Sequence, residues 1–184
     1  MLIFGKAKGE KYHSRTIEMA TYEYDDFRFV TEGILTDYRF KEYHLATDEK
    51  KSPGILHQLI IHLLVNKTNL EIGDLHVKMP VIPSEYCLET INCLDPVKGL
   101  RITGGFTSKV KDIAGGDKGC NHLVALLTSM GPSIVQGYGA YYDYKIPRFI
   151  ADNFEMLVNT CRTWREGGPL VNILREKIKA EHME

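Results

Sequence analysis

The most reactive side chains of this 184-residue chain fall in one glycine-rich stretch, Gly115-Gly116-Asp117-Lys118-Gly119-Cys120-Asn121-His122-Leu123. The glycines give way to an apolar periodic run, which reads as a loop opening a helix. A thiol at such a junction meets the unpaired N–H groups of the first turn and the positive end of the helix dipole. Both favour thiolate, so Cys120 is expected to have a lowered pKa. Cys120 and His122 are two residues apart. Inside a helix that spacing turns side chains about 200° from each other. In extended backbone it puts them on one side. The pair can therefore share a ligand only if the helix begins at about Asn121 or later.

Three readings fit these two residues. They are a buried thiol with a locally bonded imidazole, a metal site, or a nucleophilic cysteine with His122 or His57 as its base. A zinc or iron site needs ligands beyond two. His57, at the start of an apolar run, and Cys87, in a later short helix, are the candidates, with Asp37 a weaker one. In a catalytic version Cys120, His122 and His57 carry the reaction, and the metal polarises a carbonyl or activates water. No zinc-finger spacing and no H-E-x-x-H motif occurs, and neither phosphate-loop pattern is present. His13-Ser14-Arg15 offers a guanidinium that can read a carboxylate in two-pronged fashion, although a structural salt bridge is the plainer role.

The elements that must position these residues divide the chain in two. Ile17, Met19 and Thr21 alternate with polar or small neighbours, and Asp25-Asp26 marks a turn. Phe27 to Tyr38 continues as a strand in which Gly33 predicts a bulge or a close backbone approach. Leu56 to Val65 is apolar on both faces, which predicts a central strand buried on both sides. Asn66 to Asn69 connects it to a returning strand over Leu70 to Met79. After Pro80 and Pro83 the apolar period lengthens. Ser84 is set to cap a short helix carrying Cys87, Ile91 and Leu94, ended by Asp95-Pro96. Phe106 to Ile113 forms a helix stopped by Gly115-Gly116. A longer helix follows from about Asn121, with Gly131-Pro132 expected to break or kink it. Phe154 to Trp164 predicts another helix, and Leu170, Ile173, Leu174 and Ile178 a final amphipathic one. Tyr138, Tyr141, Tyr142 and Tyr144 read as packing or a subunit contact, with which a homodimer is compatible.

Strands first and helices second predict an α+β fold. A mostly antiparallel sheet of four to five strands from the N-terminal half is packed by three to five helices from the C-terminal half. One domain spans residues 1–184. Lys plus Arg is 23 and Asp plus Glu is 24, a net charge of -1 that argues against a polybasic nucleic-acid binder. The apolar run Leu59 to Val65 is too short to span a membrane, and the N-terminus lacks a signal-peptide core, so a cytoplasmic location is expected. The four cysteines, Cys87, Cys93, Cys120 and Cys161, show no C-x-x-C spacing, and a disulfide framework is not expected.

The order of short motifs is more informative than any one of them. His13-x-Arg15, Gly33 to Asp37, His57, Cys87, Gly99-Leu100, Gly104-Gly105-Phe106, Gly119-Cys120-x-His122-Leu123 and Asn159-x-Cys161-x-x-Trp164 follow one another. In this order the chain resembles the bacterial domain of unknown function 2889 family, over about residues 11–168, with a C-terminal helix and tail at 169–184. The resemblance implies an architecture and a residue set, not an activity. It picks out His13, Arg15, Asp37, His57, Cys87, Cys120 and His122, the first three as ligand-binding candidates. The family pattern has an acidic residue after the strand histidine, where this chain has Gln58. Three functions follow as expectations: a thiol–imidazole site holding a transition metal, a metal-free module binding an acidic or acyl small molecule, and a cysteine-dependent acyl or thioester enzyme.

Overall fold

A computed structural model describes residues 2–3, 5–145, 150 and 153–181. Four long strands, β1 (His13–Glu23), β2 (Arg28–Arg39), β3 (Gly54–Asn66) and β4 (Ile72–Val81), pair in chain order as one antiparallel sheet. Two further two-residue ladders, Leu2–Ile3 with Lys6–Ala7 and Tyr43–His44 with Lys50–Lys51, lie outside that sheet. The helices come later: α1 (Phe106–Ala114), α2 (Asn121–Lys145), α3 (Phe154–Leu157) and α4 (Pro169–Glu181). The fold is α+β.

Strand alternation decides which face is covered. On β2, Phe29, Thr31, Gly33, Leu35 and Asp37 are buried, while the residues between them are half-exposed. On β3, Leu59, Ile61, Leu63 and Val65 are buried. These faces meet Leu123, Leu126, Leu127, Met130 and Ile134 of α2, all fully buried, and Phe106 and Val110 of α1 join the same core. α2 packs across β1, β2 and β3, and α1 packs on α2.

Gly33 is explained by close approach rather than by a bulge, because β1, β2 and β3 pair without interruption beside it. A Cβ there would sit 2.7 Å from the Met130 sulfur and 2.9 Å from its Cγ. The missing side chain lets α2 lie close against the sheet.

Four expectations need correction. β3 is central, but only one of its faces is buried; Ile60, His62 and Leu64 on the other are half-exposed. That face carries Gln58 and His62 among its apolar residues and stays half-exposed, so the strand is not buried twice. Of the break or kink expected at Gly131-Pro132, the break does not occur, and α2 runs through Pro132. Proline removes one ladder bond, and burial of the flanking Met130 and Ile134 outweighs that loss. The helix predicted for Phe154 to Trp164 is a single turn, α3. Asn159 then takes φ 64° and its N–H donates to the Trp164 carbonyl, closing a loop instead. Asp95-Pro96 does not stop the turn after Ser84; proline, having no N–H to satisfy, begins a second 3-10 turn at Asp95–Val97.

Tyr138 is buried, and its ring meets Phe29 edge-on. Tyr141 and Tyr142 pack beside it, while the side chain of Tyr144 lies outside the described ones. Among the described residues no helix is long and apolar enough to cross a membrane.

Candidate metal and thiol site

The site begins as a row across three strands. Arg15 on β1 stands opposite Asp37 on β2, and Asp37 stands opposite His57 on β3. His13 lies two residues before Arg15 and so faces the same side of the sheet. The β2–β3 register shifts just beyond the pair, since Tyr38 aligns with Ile55, leaving Leu56 as the extra residue of a bulge. Bulges bend a strand and re-aim the neighbouring side chain. Here that side chain is His57.

Asp37 is 2% exposed and surrounded by donors. The guanidinium of Arg15 clamps it with both prongs, Nε to Oδ1 at 2.7 Å and a terminal nitrogen to Oδ2 at 2.8 Å. His13 Nε2 lies 3.1 Å from Oδ1, and His57 Nδ1 lies 3.1 Å from Oδ2. Burial opposes ionisation of the carboxyl, but Arg15 and His13 overcome it and hold the pKa down to about 2. Asp37 is an anion throughout the physiological range. Its hydrogen bond and charge raise Arg15 in turn.

The fourth element is the start of α2. The helix begins at Asn121, which meets the condition that the Cys120–His122 spacing imposes. The Cys120 carbonyl accepts the first helical bond, from the Val124 N–H, making Cys120 the cap residue. The thiol is half-buried, which would raise its pKa. His122 and the N–H groups of Leu123 and His122 outweigh that effect and lower it. The direction is the one expected for Cys120, but the His122 side chain lowers the thiol more than the first-turn N–H groups that the sequence pointed to. His122 Nδ1 is 3.8 Å from the Cys120 sulfur, and its Nε2 is 3.7 Å from Asp37 Oδ2.

His122 is thereby laid over His57, with ring centroids 4.1 Å apart and planes tilted by 33°. Burial and the neighbouring His122 lower the pKa of His57, against the pull of Asp37. Asp37, His57 and His122 each offer a ligand atom, and these atoms lie within 4.8 Å of one another.

Six of the seven residues singled out from the sequence thus come together: His13, Arg15, Asp37, His57, Cys120 and His122. Cys87 sits on the 3-10 turn Glu85–Thr90 capped by Ser84 and is not in the ligand group. Gln58 points to the opposite face from His57, because neighbouring strand residues alternate. An acidic residue there could not orient this imidazole, and Asp37 does so instead. The thiol the sequence did not single out is Cys93. Its side chain packs against Gly119, next to Cys120, and burial raises its pKa. No motif flags it, since the two cysteines are far apart in the chain and meet through the fold alone.

Clefts also lie away from this site. One runs between β1 and α2, lined by Thr21, Phe29, Gly137 and Tyr141 among others. Arg15 does not line it, and its fork is already spent on Asp37.

Residues 13–136 match the model of a family described as "Protein of unknown function (DUF2889)". That span holds all six clustered residues and stops short of α3 and α4. No curated protein and no solved structure matches the chain.

Proposed function

The chain belongs to the DUF2889 family, whose description assigns no activity, and from its site we propose that it binds one divalent transition-metal ion through Asp37, His57 and His122. The observation that carries this reading is the convergence of two imidazoles and one carboxylate, from three separate elements, within 4.8 Å. Two histidines and a carboxylate are a ligand set suited to iron(II) or zinc. The surroundings support it. Burial and the neighbouring His122 lower the pKa of His57, toward the neutral form that a ligand needs. Asp37 is anionic and fixed by Arg15 and His13, the kind of outer contact that orients a metal's carboxylate.

Arg15 also neutralises most of the Asp37 charge. A hard cation such as Mg²⁺ or Ca²⁺, which relies on anionic oxygens, is therefore disfavoured. Imidazole nitrogens and the nearby Cys120 thiolate favour zinc or iron. A bound ion would supply Lewis acidity toward a carbonyl or a water. Asp37 and its partners hold the imidazoles in place, and Cys120 stands at the rim beside His122.

A second reading rests on its own observation. Cys120, His122 and Asp37 form a chain of contacts, 3.8 Å from sulfur to Nδ1 and 3.7 Å from Nε2 to Oδ2. This is the connectivity of a Cys–His–Asp nucleophile, as an acyl or thioester enzyme needs. Cobalt(II) titration separates the two. Under the metal reading, visible ligand-field bands saturate at one ion per chain and vanish in His57→Ala. A near-ultraviolet sulfur-to-cobalt band lost in Cys120→Ser adds the thiol to the ligand set. No saturable band, together with burst acylation of Cys120 by a small thioester, supports the nucleophile and overturns the metal.

A further inference from the structure

The metal reading makes no use of Cys93, the half-buried thiol in the turn between the two 3-10 segments. Its side chain lies against the Gly119–Cys120 peptide. A Cβ built on Gly119 would be 2.8 Å from both the Cβ and the sulfur of Cys93. The absence of a side chain at 119 is what admits the thiol there. This places Cys93 beside the residue that precedes Cys120 in the chain, and the charges of the two thiols act on each other.

A thiol packed against Gly119 lies one residue from Cys120, and a disulfide needs its two Cα atoms within about 7 Å. We propose that Cys93 is the resolving partner of Cys120, and that hydrogen peroxide converts the two thiols into an intramolecular disulfide. This inference does not depend on a bound metal.

The chemistry balances in two steps. The Cys120 thiolate attacks the peroxide, so that an S–O bond forms and the O–O bond breaks. The departing oxygen leaves as hydroxide and takes a proton to become water. Cys120 is oxidised to a sulfenic acid by two electrons, and the peroxide is reduced. The Cys93 sulfur then attacks the Cys120 sulfur, so that S–S forms and S–O breaks. The hydroxide leaves with the Cys93 proton as a second water. Net, two thiols and one peroxide give one disulfide and two waters. Both cysteines are half-buried, which admits a molecule as small as hydrogen peroxide but hinders larger thiols.

The test treats the full chain with hydrogen peroxide in chelator-containing buffer, quenches with an alkylating agent, and maps peptides without reduction. Trypsin leaves Cys87 and Cys93 in one peptide, so a second digestion at Glu89 is needed to separate them. The expected product is a Cys93–Cys120 bridged peptide lacking two hydrogens. Cys120 sulfinic acid should be at least about tenfold scarcer than in Cys93→Ala, where no partner intercepts the sulfenic acid. The proposal is overturned if Cys120 gains two oxygens as readily with Cys93 present, or bridges to Cys161 or to another chain. Should Cys93→Ala fail to fold, the wild-type map alone decides. Metal content is read on untreated protein, so a failure here leaves the metal reading standing, and the reverse.

Discussion

Asp37 and His57 face each other across β2 and β3, with Oδ2 and Nδ1 3.1 Å apart, at the point where a bulge breaks the strand register. The carboxylate is buried and anionic; the imidazole is half-buried and held toward its neutral form. The His57 ring so held lies against the ring of His122 at the start of α2, with centroids 4.1 Å apart. The remaining features of the site follow from what surrounds this pair.

Acid should weaken the fold through Asp37. Its folded pKa, about 2, lies below the ordinary 3.8, so its contribution is complete above the unfolded value and lost as pH falls from about 5 toward 2. The shift corresponds to about 2 kcal/mol. His57 acts in the same sense at higher pH, because a folded pKa below 6.5 costs stability once solution pH falls beneath that value. Urea midpoints measured from pH 7 to pH 3 should fall in two stages. In Asp37→Asn the lower stage should flatten, and stability at pH 7 should drop by about 3 kcal/mol, because Arg15, His13 and His57 lose a common partner.

Gly33→Ala tests the packing that seats the helix. The new methyl would press on the Met130 sulfur and Cγ in a filled core. Methionine yields more readily than a branched side chain, so a loss of about 1–2 kcal/mol is expected by urea denaturation. A loss below about 0.3 kcal/mol would mean that α2 shifts freely over the sheet, and that the site tolerates such movement.

Much of this was legible in the sequence, for identifiable reasons. Alternation in Phe29, Thr31 and Leu35 marks β2, and the Gly115-Gly116 stop marks the end of α1. Apolar periodicity starts a helix at about Asn121, the same start that lets Cys120 and His122 share a ligand. What a one-dimensional pattern does not carry is register. That Arg15, Asp37 and His57 stand in one row depends on how three strands align, so the sequence offers a salt bridge as the plainer role of Arg15 without naming its partner. Cys93 is invisible for the same reason. The continuation of α2 through Pro132 is a tertiary effect, in which burial overrides a local breaker.

Thiol reactivity should report the helix start. Iodoacetamide labelling of Cys120 should show an inflection below the ordinary thiol range, and Cys93 should label more slowly, in keeping with its raised pKa. Exposed Cys161 will also react readily, its thiol being lowered by the Trp164 and Thr163 N–H groups, so peptide mapping must resolve the sites. His122→Gln should move the Cys120 inflection upward and slow labelling near pH 7 several-fold. An unchanged profile would show that the helix N–H groups, not the imidazole, set the thiolate.

The most direct measurement is elemental mass spectrometry of protein purified without a histidine tag, in air and without it, for wild type, His57→Ala and His122→Ala. The account predicts about one zinc or iron per folded wild-type chain and a near-complete loss in both variants. Metal-free, fully folded wild type under both conditions, with no saturable uptake of added zinc or iron, would contradict it. So would metal retained at full stoichiometry after either histidine is removed.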